Sequence, residues 1–316
     1  GTGDANHIIK TLFYGKDGKT IIGRRDFIYT VEGALESADL YETDSEVAGQ
    51  GELTQQTKFV GEKGKEIADY TQSFYDGNTT ETTVYYYKDG KRAAKTEGME
   101  YRYSKSKQIT FRGDPLTTDA ALDADGDGIK DDARKLSMLV YDDEKRLSNE
   151  EVADYMITYA GDNAAIRTIV YRYGSSGSRA TGINYRETLA SAATYYGNLD
   201  TDSDGKLSDA EVAAGVKASE VFYDAKYRLK GEEVQDYSVT YLMDGATVKD
   251  TTVYFYEGGN RAAGALNDDR MEKSVTYWGD ALDENGVLLA DAKKKSETMY
   301  QYPSSAKRGE EIADVA

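Results

Sequence analysis

The chain has 316 residues, with 57 acidic against 39 basic side chains and a formal net charge of −18, one histidine, no cysteine, two prolines and 27 tyrosines. Without cysteine there is no disulfide framework, thiolate nucleophile or Cys-ligated zinc, and with His7 as the sole imidazole a multi-histidine metal site is excluded. The acidic balance repels phosphate backbones and anionic lipid, and no apolar run approaches the roughly 18 residues of a spanning helix, so neither nucleic acid nor membrane insertion is expected.

In chain order, the first element is a strand at Leu12-Phe13-Tyr14, followed by a turn at Gly18. A second landmark, Glu66-Ile67-Ala68-Asp69-Tyr70, returns as Glu151-Val152-Ala153-Asp154-Tyr155, as Glu233-Val234-Gln235-Asp236-Tyr237 and as Glu311-Ile312-Ala313-Asp314. Its aspartates are spaced by 85, 82 and 78 residues. After each of the first three copies comes a tyrosine-rich strand: Val84-Tyr85-Tyr86-Tyr87 leading to Arg92, Val170-Tyr171-Arg172-Tyr173 to Arg179, and Val253-Tyr254-Phe255-Tyr256 to Arg261. Then follow Thr110-Phe111-Arg112-Gly113, Thr194-Tyr195-Tyr196-Gly197 and Thr276-Tyr277-Trp278-Gly279. Three landmarks in one order at nearly one spacing define a tandem repeat.

Within a unit the landmarks alternate with period two and are rich in β-branched and aromatic residues. Tyr155, Ile157 and Tyr159 share one face of their strand, while Asp154 and Thr158 share the other. Asp76-Gly77-Asn78, Asp89-Gly90, Asp244-Gly245 and Gly258-Gly259 supply hairpin turns. The expected fold is mainly β: tandem repeats of about 80 residues made of antiparallel hairpins, with calcium loops and short helices between strands. The boundaries expected are a partial repeat over 1–56, full repeats over 57–135, 136–218 and 219–295, and a partial repeat over 296–316. The two partial repeats are complementary, which predicts either a segment of a longer array or completion of one molecule's first unit by the last strands of another.

An acidic segment follows each third landmark. The clearest, Asp200-Thr201-Asp202-Ser203-Asp204-Gly205-Lys206-Leu207-Ser208-Asp209-Ala210-Glu211, resembles the EF-hand and dockerin calcium loop over twelve positions. In such loops, positions one, three and five aim carboxylates inward, glycine at six permits the turn, seven offers its carbonyl, nine acts through water, and a glutamate closes the shell. The resemblance implies Asp200, Asp202, Asp204, Lys206 through its backbone, Ser208 and Glu211 as calcium ligands. A strand is expected before Asp200 and a short helix, capped by Ser208, over 208–218.

Asp123-Ala124-Asp125-Gly126-Asp127-Gly128-Ile129-Lys130-Asp131-Asp132 resembles the same loop and the calcium repeats of thrombospondin-like proteins. Asp123, Asp125, Asp127 and the Ile129 carbonyl take the corresponding places. Arg134 stands at the closing position, so Asp131 or Asp132 completes the shell. The shorter Asp283-Glu284-Asn285-Gly286 and the segment 39–46 carry no such assignment.

Arg92, Arg179 and Arg261 recur with Asp69, Asp154 and Asp236, predicting one ion pair or hydrogen-bonded corner per unit. Carboxylates repeated in every unit argue for structure rather than for one specialised acid–base site. No Gly-rich phosphate loop, dinucleotide fingerprint or nucleophile elbow occurs. The tyrosine hairpins with a following arginine are loosely similar to the tyrosine-rich repeats of large bacterial surface and toxin-associated proteins. That resemblance implies a secreted or surface-exposed repeat protein and no activity. The sequence therefore predicts a non-enzymatic, calcium-stabilised extracellular structural protein. Its expected partner is itself, polymerising head-to-tail by strand complementation into a filament, sheath or surface layer. The second reading is an adhesin or polysaccharide-binding segment that takes cell-surface glycans.

Overall fold

The structure, a computed structural model, describes residues 8–15, 17–87, 90–95, 102–143, 146–202, 204–224, 228–301 and 312–315. His7, Asp89, Ser203 and Glu311, named above, lie outside the described residues. The chain is mainly β, built of antiparallel hairpins. It divides into two compact units, one of residues 1–152 and 158–164, the other of 153–157 and 165–316.

The first unit contains β1 (Ile8–Tyr14), β2 (Ile21–Tyr29), β3 (Leu35–Glu42), β4 (Glu52–Val60), β5 (Ile67–Tyr75), β6 (Asn78–Tyr87), β7 (Lys91–Arg92), β8 (Lys107–Arg112) and β9 (Lys135–Asp142). β10 (Val152–Tyr159) contributes residues to both units. The second holds β11 (Ala165–Tyr173), β12 (Leu189–Tyr196), β13 (Lys217–Asp224), β14 (Val234–Tyr241), β15 (Val248–Tyr256), β16 (Met271–Trp278), β17 (Lys294–Gln301) and β18 (Ile312–Val315). From β1 to β6 and from β11 to β18, each strand pairs with the next, and β6 pairs with both β7 and β8. Such meanders follow from short turns. Between β5 and β6, Asp76 and Gly77 take φ of 49° and 71°, the pair of left-handed residues that a two-residue hairpin requires.

Asp69 and Asp236 sit at β-bulges. Opposite β4, Lys58 faces Tyr70 while Phe59 faces Ala68, which leaves Asp69 as the extra residue. Opposite β13, Phe222 faces Tyr237 and Tyr223 faces Gln235, which leaves Asp236 extra. A bulge re-aims its side chain, and each carboxylate here meets an arginine. Arg92 donates from Nη2 to Asp69 at 2.6 Å, and Arg261 from Nε to Asp236 at 2.8 Å. Arg179 holds Asp154 in the same bidentate way. The predicted pairs form, and Asp154 is buried.

The remaining landmark residues also find repeated partners. Glu66, Glu151 and Glu233 accept the backbone N–H of Leu35, Lys105 and Leu189. Tyr87, Tyr173 and Tyr256 donate their hydroxyls to the carbonyls of Ala68, Ala153 and Gln235. Gly113, Gly197 and Gly279 have φ near +70°, and their carbonyls accept from the fully buried hydroxyls of Thr82, Thr168 and Thr251. The aromatic stripe thus does two jobs. Tyr85 reaches across its strand pair to Thr71 at 2.9 Å, whereas Tyr87 is buried against backbone.

Val84, Val170 and Val253 are fully buried. Around Val84 pack Tyr86, Ile109 and Phe111 of the strands, covered by Ile129 and Leu116 from the segment that carries the first acidic loop. Around Val253 pack Val275 and Tyr277, covered by Ala281, Leu282 and Leu288. In the second acidic loop Leu199, Leu207 and Val212 are buried likewise. At about 1.5–3 kcal/mol per buried aliphatic or aromatic side chain, these lids contribute to stability, and they hold the acidic loops against the sheet.

Candidate metal centres

Two groups of three aspartates converge, Asp123 with Asp125 and Asp127 in the first unit, and Asp200 with Asp202 and Asp204 in the second. Within each group, carboxylate oxygens lie within 4.8 Å of one another. Both loops fold by the same local rules. The first aspartate accepts the N–H of the position-six glycine, Gly128 at 2.8 Å and Gly205 at 3.2 Å. Those glycines take φ of 81° and 78°. Asp125 and Asp127 accept the N–H groups of Asp127 and Ile129, as Asp202 and Asp204 accept those of Asp204 and Lys206.

The first aspartate of each loop keeps one oxygen back. Asp123 and Asp200 are 8% and 5% exposed, and in both the Oδ1 atom is buried without a hydrogen-bond partner. A carboxylate oxygen removed from water and left unpaired is costly unless a cation meets it. This same atom recurs at the same loop position twice. Burial, then the charges of Asp204, Glu211 and Asp202, push the Asp200 carboxyl above its ordinary range against the opposing Gly205 N–H. Asp127 is pushed up in the same direction by burial, with Asp125 and Asp123 adding to it.

The closing residues are told apart by their bonds. Glu211 accepts the N–H of Thr201 at 2.9 Å with Oε1 and that of Ser208 at 2.9 Å with Oε2, so it spans the loop from position two to nine. These bonds, those from Ser208 first, hold its carboxyl down at about 2. In the other loop Asp131 and Asp132 are both exposed, and Asp131 accepts the N–H of Ala124, the counterpart of Thr201, at 3.2 Å. Of the two candidates, Asp131 is the one that bonds across the loop as Glu211 does. The residues Ser208 and Glu211 also form a capping box on the helix α1 (Asp209–Ala214), which ends earlier than the predicted 218. Gly215 packs there so closely that a Cβ would stand 2.6 Å from Leu199 and 2.9 Å from Tyr195, and β13 begins at Lys217.

Each arginine of the recurring pairs also grips the segment after the third landmark. Nη1 of Arg92 donates to the carbonyls of Asp127 and Gly128 at 3.1 and 3.3 Å, and that of Arg179 to Leu207 at 2.6 Å. Nη1 of Arg261 donates to Gly286 at 3.0 Å. In the segment 283–286 itself, Asp283 spends its carboxylate on the N–H groups of Asn285 and Val287, an ordinary turn. A fourth arginine escaped the sequence reading. Arg24, fully buried, bonds Asp26 and the carbonyls of Ser45 and Gln50, and its neighbour two residues on is the only signal the sequence carries.

No family model matches the chain, and no curated protein matches it. Among solved structures it is similar to a porin-like protein from Bacteroides uniformis ATCC 8492, at 10% sequence identity over 96% of this chain and 92% of that one, with a TM-score of 0.22.

Proposed function

We propose that this chain is a non-enzymatic structural protein of the cell exterior whose β units are clipped by calcium at the 123–131 and 200–211 loops. The observation that carries this reading is the buried, unpartnered Oδ1 of Asp123 and of Asp200, each facing two further aspartates. Hard oxygen donors in flexible loops suit calcium, and the arginine grip on each loop would pass the ion's ordering effect into the sheet. The recurring Asp–Arg pairs support a structural use of those carboxylates. Extracellular calcium is plentiful enough to fill even a weak site of this kind.

The test is thermal unfolding in millimolar calcium and in chelator, repeated on the Asp202→Asn/Asp204→Asn variant. A ligand at 100 times its Kd stabilises by about 2.7 kcal/mol, so the wild type should lose several degrees in chelator and the variant should lose less. Equal melting of both chains in both conditions would refute calcium binding at the second loop. Copies are proposed to join head-to-tail by strand addition, as meanders of this kind extend. Electron microscopy in calcium tests that part: fibres support it, and uniform single particles at high concentration refute it.

A further inference from the structure

The two loops differ in what surrounds them. Beside the 200–211 loop a hollow is lined by Arg172, Lys217 and Asp209, but Lys217 is spent on Glu220 and Arg172 on the Gly177 carbonyl. Beside the 123–131 loop lies a hollow of about 530 Å³ lined by six basic side chains, Lys91, Arg92, Lys95, Lys107, Lys130 and Lys135. Among the described residues three acidic ones, Asp125, Asp127 and Asp131, share it, in a chain whose acidic residues otherwise outnumber the basic. Its floor is apolar, from Ile109, Phe111 and Ile129.

These lysines have few other duties. Arg92 is committed to Asp69 and Lys130 to the Asp114 carbonyl, but among the described residues no carboxylate pairs with Lys91, Lys95, Lys107 or Lys135. Lys107 stands over the Tyr86 ring, 5.0 Å from its centroid, and Lys95 lies against Gly128 of the loop. Burial lowers the Lys107 ammonium and Lys135 repels it further, against the attraction of Asp127. An oxyanion between the two would relieve that repulsion. The loop itself is short of donors. Arg134 replaces the closing glutamate, and Asp131 offers one carboxylate from position nine, whereas calcium takes six to eight oxygens. An ion held there would present coordination positions to a ligand, and by offsetting the three aspartates it would leave the lysines dominant.

We propose that this hollow binds an acidic saccharide, a sugar carboxylate being held by Lys107 and Lys135 while a neighbouring sugar oxygen completes the shell of the calcium ion in the 123–131 loop. The inference rests on the calcium reading above. A sugar acid, unlike an acidic peptide side chain, carries carboxylate and hydroxyl oxygens close together, which matches an ion and an ammonium pair side by side. The cavity volume suits a small ligand. Calcium and saccharide would then bind with positive, reciprocal coupling.

The experiment is calorimetric titration of the full chain with a hyaluronan tetrasaccharide, in calcium and in chelator, with tyrosine-sensitised terbium luminescence reporting separately whether the loops take an ion. We expect binding in calcium, a loss of about tenfold or more in chelator, and a similar loss in Lys107→Ala/Lys135→Ala. That variant should keep its terbium signal, and Lys107→Arg/Lys135→Arg should recover part of the binding. Absence of saccharide binding while terbium reports filled loops would overturn this inference and leave the calcium reading standing. So would unchanged affinity in the alanine variant, equal binding of the carboxyl-reduced tetrasaccharide, or tighter binding of tetraglutamate. No terbium signal at all would overturn both.

Discussion

Arg179 holds both oxygens of Asp154 and, with its remaining nitrogen, the carbonyl of Leu207 inside the second acidic loop. One side chain therefore joins Asp154 of β10 to the proposed calcium clip. The guanidinium is 10% exposed and the carboxylate 12%, so neither charge is well solvated.

Arg179→Met should destabilise the chain by about 3–5 kcal/mol, because it strands the Asp154 carboxylate in a buried site. It should also weaken calcium binding at the second loop, whose Leu207 carbonyl loses its anchor. Arg270→Met breaks a more exposed pair, with Glu257, and should cost about 0–1 kcal/mol. Urea unfolding of the three chains checks this; similar costs for the two variants would count against the buried-pair argument.

Glu211→Gln separates capping from ligation. A glutamine at the third helical position still serves a capping box with its one carbonyl oxygen, so α1 should survive, while its NH2 group cannot accept the Thr201 N–H and the apo chain should lose about 1 kcal/mol. The lost charge removes the closing ligand, and calcium affinity at that loop should fall at least about tenfold, or about 1.4 kcal/mol. Circular dichroism and calcium titration read the two effects independently.

Calcium binding should release protons under mildly acidic conditions. Burial raises the ion-free pKa of Asp200 and of Asp127, so more protons sit on these groups before the ion arrives than after it. The sign follows: affinity falls as pH drops through the raised range. Glu211 stays ionised down to about pH 2 and contributes nothing to that window. Calorimetry in two buffers of different ionisation enthalpy measures the release, which should vanish toward neutral pH.

Thr168→Val leaves the shape nearly unchanged but strands the Gly197 carbonyl and the Leu199 N–H. The cost should be about 1–3 kcal/mol. Gly197→Ala at φ 74° should cost about 1–2 kcal/mol through the backbone alone. Thermal unfolding of each single variant checks both figures, and a neutral Thr168→Val would show that water satisfies those groups.

Much of the architecture was legible because it is local. Alternation with period two marks a strand wherever it falls, and Asp76-Gly77 demands its left-handed turn without help from the rest of the chain. The aspartates of both acidic loops converge because their spacing curls the backbone through Asp–amide bonds only two residues apart. Recurrence supplied the rest: three arginines spaced like three aspartates were expected to meet, and they do.

What the sequence determined by itself, then, was strand, turn, loop and the pairing of repeated charges, since each is encoded within a few residues or by repetition. The tertiary structure decided which atoms were left over. That Asp131 rather than Asp132 bonds across the first loop, that Asp123 and Asp200 each bury an unpartnered oxygen, and that α1 stops at Ala214, where Gly215 meets Leu199 and Tyr195, are set by how the backbone packs in three dimensions. The convergence of Lys95, Lys107 and Lys135 has the same origin. Their separation in sequence carries no periodic signal, and only the stacking of strands under the first acidic loop brings their ammonium groups to one hollow.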